Sequence, residues 1–267
     1  MLKFISFGSG SSGNCYLLFT ETCKIMIDVG VGIRNLKKEF KDNGLEMKDI
    51  KYILLTHDHA DHIKSVGSMS YGFNIPVYTT AKVHEGVNRN YCVHRKIPLA
   101  NVKYVEKGVT THLDDFAVTP FNVPHDSRDN VGYKIQYGDI TFCLITDAGY
   151  VTDEMSEAVS EANYLVLESN HDKEMLANGP YSDFLKQRIA GPGGHLNNNE
   201  CARLLVESST PKLKHVWLCH LSDENNHPEL ARKTVEAELR SVGIIPGKDF
   251  ELDVLKRNLP SEIYTLD

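Results

Sequence analysis

A chain of 267 residues with 41% hydrophobic and 24% charged residues can bury a large core, and its composition excludes a disordered or fibrous protein. A formal net charge of −7 excludes a generic polycation that coats nucleic acid, while leaving room for a local basic patch. No apolar run reaches membrane-spanning length and Met1–Phe7 lacks the pattern of a secretory signal. Together with six scattered cysteines and no CxxC pair, this gives the expectation of a cytoplasmic protein with reduced thiols and no membrane partner.

In chain order, Met1–Phe7 alternates as a strand and runs into Gly8–Asn14, dense in glycine and hydroxyls. That loop lacks the Gly-Lys-Ser/Thr of a P-loop, so it reads either as a backbone anion cradle or as a tight turn flooring a site. Residues 15–20 and 24–28 form an antiparallel pair ending in Asp28, and residues 31–43 have helical spacing with Ile33, Leu36 and Phe40 on one face. An apolar strand over residues 52–56 then delivers Thr-His-Asp-His-Ala-Asp-His, with a helix expected from Ile63. After a short strand at 76–79, residues 80–100 form the most basic segment of the chain, with Lys82, Arg89, Arg95 and Lys96 around Tyr91. Its readings are a solvated helix face or a phosphate-contacting surface. Strands follow at 102–105, 116–123, 131–137 and 140–145, then helix and strand alternate: helices at 153–160, 181–189, 197–208 and 228–242, strands at 164–168, 214–219 and 250–256.

A recurring form is an apolar strand with Asp or His at its C-terminal end: Asp28, His57, His125, Asp147 and His220. Open α/β sheets bind ligands at that end, and imidazoles with carboxylates suit zinc first, with manganese or iron as alternatives. One tetrahedral ion cannot take all of His57, His59, Asp61 and His62 from so tight a turn, whereas two ions can. The allocation expected is His57, His59, His125 and Asp147 on one ion and Asp61, His62, Asp147 and His220 on the other, with Asp147 bridging and a hydroxide between the ions as nucleophile. Asp28 is expected to orient His57 or His59 through a hydrogen bond.

His57–His62 matches the HxHxDH signature of the metallo-β-lactamase superfamily. Phe4–Asn14, Val123–Tyr133, Thr146–Val151, Glu168–Asp172, Gly194–Asn198 and Leu218–Asn226 together resemble its YycJ/WalJ subfamily. The resemblance implies a four-layer αββα sandwich, a single hydrolase domain over residues 1–267, and a DNA exonuclease. Asp61, beyond its place as a ligand, counts as a catalytic carboxylate and points away from β-lactams as substrates. The resemblance also suggests His195 as donor of a proton to the leaving oxygen, with Glu168 orienting it; the alternative is a structural Glu–His hydrogen bond or a contact to substrate phosphate, and His171, otherwise a residue supporting the ligands, is a third candidate. Arg89, Arg95 and Lys96 are the candidate substrate contacts, with DNA ahead of RNA. The rival readings are a small-molecule phosphodiester or thioester hydrolase and, from another class, a non-catalytic metal-binding regulatory module.

Overall fold

The computed structural model describes residues 1–267. The strands are β1 (Leu2–Gly8), β2 (Cys15–Phe19), β3 (Lys24–Ile27), β4 (Ile50–Leu54), β5 (Val77–Thr79), β6 (Val102–Tyr104), β7 (Thr111–Leu113), β8 (Phe116–Asn122), β9 (Val131–Tyr137), β10 (Ile140–Ile145), β11 (Tyr164–Glu168), β12 (His215–Cys219), β13 (Glu251–Val254) and β14 (Tyr264–Leu266). The helices are α1 (Ile33–Asp42), α2 (Ala60–Ile63), α3 (Val66–Phe73), α4 (Ala81–Arg89), α5 (Asp153–Glu161), α6 (Lys173–Asn178), α7 (Asp183–Ala190), α8 (Asn198–Ser208) and α9 (Pro228–Ser241). The chain divides into two compact units, one of residues 1–117, 127–130 and 256–267, the other of residues 118–126 and 131–255.

In the first unit a mixed sheet runs β14-β1-β2-β3-β4-β5-β6. Its β1-β2-β3 meander is antiparallel, while β3, β4, β5 and β6 are parallel. The parallel strands are nearly continuous in apolar residues because helices cover them. The apolar face of α1 supplies Leu36 and Phe40 to this core, and Phe40 stacks on Phe7 with ring centroids 4.6 Å apart. β4 begins and ends two residues earlier than its apolar pattern suggests. Thr56 donates its amide to the Asp28 side chain instead of continuing the ladder. The helix expected from Ile63 starts at Ala60, so Asp61 and His62 ride on a helical turn with His59 as its N-cap.

The second sheet runs β13-β12-β11-β10-β9-β8-β7. β9 and β10 are antiparallel and β10, β11, β12 and β13 parallel, the same succession as in the first sheet. The second unit's own core packs Leu165, Leu167, Val216 and Leu218 under Met155, Leu204, Leu205, Val235 and Leu239. α8 starts at a capping box in which Asn197 and Glu200 satisfy each other's backbone amides. β7, β14 and α6 escape a periodicity reading because they are three, three and six residues long.

Candidate metal centre

In the first unit the His-rich turn follows β4, and its histidines are held by a buried relay that starts at Asp28. This carboxylate is wholly buried and sits in the left-handed region at φ 57°. It accepts from the Thr56 amide at 2.9 Å, the Thr56 hydroxyl at 2.8 Å and His62 Nδ1 at 2.7 Å. Asp28 was expected on His57 or His59; the partner is His62, because the helical turn of α2 swings that ring back over β3. The Thr56 hydroxyl has given its proton to Asp28, so it accepts from His57 Nδ1 at 3.0 Å. Asp28 thus fixes two rings, one directly and one through Thr56. Both carry their proton on Nδ1 and turn the Nε2 lone pair outward. The rings of His57 and His59 lie 4.7 Å apart, and those of His57 and His62 4.1 Å apart.

Asn14, which sequence reasoning did not single out, closes this half of the site. Its Nδ2 lies 2.9 Å from His62 Nε2, donating to the lone pair that the Asp28 contact leaves there. The Asn14 backbone amide donates to the Asp61 carbonyl at 2.7 Å, so the glycine-rich loop serves as the floor of the His-rich turn. Gly30 is required beside it: a Cβ there would stand 1.6 Å from the Asp61 carbonyl oxygen.

In the second unit the polar strand ends converge on two carboxylates, Asp147 and Glu168. Asp147 (φ 55°), two residues after β10, and His220 (φ 54°), directly after β12, both adopt the left-handed region. His125 donates Nδ1–H to the Gly194 carbonyl at 2.9 Å, and His220 Nδ1 lies 3.1 Å from Glu168 Oε1. Their Nε2 atoms stand 3.7 and 3.6 Å from the same oxygen, Asp147 Oδ1. The other oxygen, Oδ2, accepts from the Thr146 hydroxyl at 2.7 Å. Two imidazole lone pairs flanking one carboxylate oxygen is the disposition expected of a bridging ligand. The candidate ligand atoms of Asp147, Glu168, His195 and His220 all lie within 4.8 Å of one another.

Glu168 is wholly buried and fully occupied. Its Oε1 takes His195 Nδ1 at 2.9 Å as well as His220, while Oε2 takes the amides of Ala148 at 2.8 Å and Leu196 at 3.1 Å. Burial pushes its pKa up, but the His195 and His220 contacts outweigh that and hold the carboxyl down at about 2. For His195, burial works to lower the pKa and the facing Glu168 carboxylate reverses it, leaving the ring more basic than usual. Its Nδ1 is committed to Glu168, so Nε2 is the atom left to hand over a proton.

His171 lies beside this cluster without joining it: the ring is buried and its Nδ1 has no hydrogen-bond partner. Burial pushes its pKa down to about 4. Around it stands a group of amides overlooked in the sequence. Asn226 Nδ2 binds the carbonyls of Ser169 at 2.9 Å and Asn170 at 3.1 Å and the Asn198 side chain at 2.8 Å, and Asn170 Nδ2 binds the His220 carbonyl at 2.8 Å. This clamp joins the ends of β11 and β12 to the start of α8, the segments that carry Glu168, His220 and His195. Its signal in the sequence is a cluster of Asn and Ser after each of two mostly apolar strands.

The candidate substrate contacts Arg89, Arg95 and Lys96 are exposed and lie in the first unit. Arg89 pairs with Glu85 at 2.6 Å, Arg95 stacks 4.2 Å over the Tyr71 ring, and Lys96 reaches the Asn90 carbonyl at 3.2 Å. The segment is fastened to the His-rich turn by Asn90, whose side chain donates to the Asp58 carbonyl at 2.9 Å. His84 and His215 are tied to other partners, the Lys103 carbonyl and Asp253.

The donor set therefore suits a divalent metal on its chemistry. His57, His125 and His220 each have Nδ1 tied to an oxygen and present Nε2 as the candidate ligand atom, which is how metal-binding histidines are held; His62 is tied by Nδ1 in the same way, and a metal on its Nε2 would take the place of the Asn14 contact. The fold and these histidine–carboxylate sets define a metal-dependent hydrolase. The chain belongs to the metallo-β-lactamase superfamily: residues 24–220 match the beta-lactamase superfamily domain. It is 34% identical to exodeoxyribonuclease YycJ of Bacillus anthracis over 262 residues, covering 98% of each chain. It is 32% identical to exodeoxyribonuclease WalJ of Streptococcus pneumoniae serotype 2 over 250 residues, covering 94% of this chain and 93% of that one. Among solved structures, the metallo-β-lactamase fold protein YhfI of Bacillus subtilis superposes with a TM-score of 0.71 at 18% identity, covering 98% and 99% of the two chains. The fold class is accordingly the αββα sandwich expected from the sequence. No helix is long and apolar enough to cross a membrane.

Proposed function

We propose that this chain is a dinuclear metal-dependent phosphodiesterase that degrades DNA as an exonuclease in the cytoplasm, acting as one hydrolase domain over residues 1–267. Its similarity to two exodeoxyribonucleases over more than nine-tenths of its length carries the reading. In this proposal His57, His59, His125 and Asp147 hold one ion and Asp61, His62, Asp147 and His220 the other, with zinc ahead of manganese or iron. When bound, such ions supply a hydroxide near neutral pH and neutralise charge on the attacked phosphate. The chain's own residues do the rest. Asp28 and Thr56 keep His57 and His62 in the tautomer that presents Nε2. Glu168 holds His195 by Nδ1 and raises its basicity, so His195 delivers a proton from Nε2 to the departing sugar oxygen. Arg89, Arg95 and Lys96, on a segment anchored at Asp58, take phosphates other than the scissile one. Buried thiols without disulfide partners fit a reducing compartment.

The test is incubation of metal-loaded protein with end-labelled single- and double-stranded DNA and RNA. Progressive shortening of DNA from one end is expected. Turnover of small diesters or thioesters with no loss of polynucleotide would overturn the nuclease reading, and no turnover of any of them would make the chain a regulatory metal-binding module.

A further inference from the structure

Several cations of this acidic chain are matched to carboxylates, among them Lys51 with Asp114, Arg203 with Glu207 and Arg240 with Glu236. Arg34 and Lys64 are not, and both line one open cavity of about 480 Å³ in the first unit. The same wall carries Ser68, His94 and Tyr91 and not a single carboxylate. Tyr91 is 88% exposed, a large aromatic face with nothing packed on it. Two unmatched cations, a hydroxyl donor and a bare aromatic ring around one hollow form the surface that a nucleotide fits. A guanidinium and an ammonium take the phosphate and the phenol ring takes the base. An inorganic anion would use the cations and leave the ring idle, and an acidic peptide would have no flat group to lay on it.

We propose that this cavity is a nucleotide subsite: Arg34 and Lys64 grip one phosphate of a single-stranded polynucleotide, and Tyr91 stacks the adjoining base. The proposal rests on the nuclease reading and names where the strand lies beside the reacting phosphate. Its position follows from the first unit's backbone. Lys64 closes the turn of α2 that begins at His59 and carries Asp61 and His62, its amide bonding the Ala60 carbonyl at 3.1 Å. The next residue, Ser65, is pinned to β3's exit by its amide on Val29 at 2.8 Å and its hydroxyl on Val31 at 2.8 Å. The subsite and the His-rich turn are therefore opposite ends of one helical turn, on the order of 5 Å of rise. A phosphate gripped there belongs to a nucleotide next to the one being cleaved. The Lys82–Lys96 segment contributes Tyr91 and His94 to this wall, which gives that segment a second role besides the exposed cations Arg89, Arg95 and Lys96.

The experiment uses the full, metal-loaded chain, with Arg34→Ala/Lys64→Ala and Tyr91→Ala as variants. Deoxyadenosine monophosphate is titrated while the NMR signals of Arg34, Lys64 and Tyr91 are followed. Degradation of a single-stranded oligonucleotide is measured across a salt series beside hydrolysis of bis(nitrophenyl) phosphate. The nucleotide is expected to shift all three signals. The double variant should lose that response, and its kcat/KM for the oligonucleotide should fall about tenfold relative to that for the small diester, chiefly through KM. Its salt slope should flatten by about 0.7, the value for one phosphate on a single strand. Tyr91→Ala should raise KM with the salt slope unchanged, since a ring releases no counterions. Deoxyadenosine monophosphate that leaves the three signals unmoved at millimolar concentration, or a double variant with wild-type KM and salt slope, overturns the subsite. A wild-type protein that hydrolyses the small diester and spares DNA overturns the nuclease reading instead, and the nucleotide titration then decides the subsite by itself.

Discussion

Replacing Asp28 with Asn changes one atom and should disarm two of the proposed metal ligands, His57 and His62. Asn is compatible with the φ of 57°, so the backbone has no reason to move. What changes is the set of donors. Three donors converge on this carboxylate: the Thr56 amide, the Thr56 hydroxyl and His62 Nδ1. If the new amide nitrogen faces Thr56 N–H, two buried donors oppose each other. If it faces His62, the ring must accept on Nδ1 and move its proton to Nε2. Thr56 would then turn its hydroxyl proton towards His57 Nδ1 and reset that ring too. Each lost charge-assisted bond costs about 1.5–3 kcal/mol, so the metal-free protein should lose about 2–4 kcal/mol, or roughly 5–10 °C in Tm. Metal affinity should fall about 100-fold, the upper end for one orienting partner, because two rings depend on this one. Nitrogen-15 spectra of labelled histidines report the tautomers directly, and a competitive metal titration gives the affinity. Wild-type affinity in Asp28→Asn, or His62 and His57 still protonated on Nδ1, would refute the relay.

Three other perturbations probe separate parts of the site. Gly30→Ala drives a methyl into the Asp61 carbonyl and close to the Asn14 amide at 2.8 Å, both backbone atoms; a loss of at least about 2–3 kcal/mol and poor metal retention are expected in thermal unfolding with and without added metal. His195→Gln should keep metal content and slow cleavage by about 10²–10⁴-fold, with a much smaller loss on nitrophenyl diesters, whose leaving group needs no proton; equal losses on both would assign His195 to binding. His171 is buried with its pKa pushed down to about 4, while the unfolded chain takes up that proton near pH 6.5. Its contribution is therefore full above pH 6.5 and is lost as pH falls towards 4. Between pH 7 and 5 wild type should lose about 2 kcal/mol more than His171→Asn in urea unfolding, and parallel pH profiles would show that the ring is not held neutral.

The strand-end placement of Asp28, His57, His125, Asp147 and His220 was legible because a short, mostly apolar strand of four to seven residues stopping near an Asp or His is a short-range pattern. The HxHxDH turn was legible for the same reason. The partner of Asp28 was not, since it depends on Asp61 and His62 lying on a helical turn that starts at Ala60, a single turn too short to show periodicity. Asn14 and the Asn170–Asn198–Asn226 clamp were invisible for a different reason: their bonds run between residues 28 to 57 positions apart, and an asparagine in a loop looks the same in sequence whether it faces water or a buried carbonyl. The cavity at Arg34 and Lys64 joins α1, α2 and the segment after α4, which no local pattern links.

The left-handed backbone at Asp28, Asp147 and His220 restricts how this protein can change over time. That conformation costs most side chains about 1–2 kcal/mol and is tolerated mainly by Gly, Asn and Asp, with His also enriched. Among these, only Asp and His bring a charge or a strong lone pair to a metal. A lineage that abandoned hydrolysis while keeping its fold would have few routes open, and the cheap ones lead to Asn or Gly at positions 28, 147 and 220. A descendant bearing Leu or Val there would be expected to have lost its turns along with its chemistry.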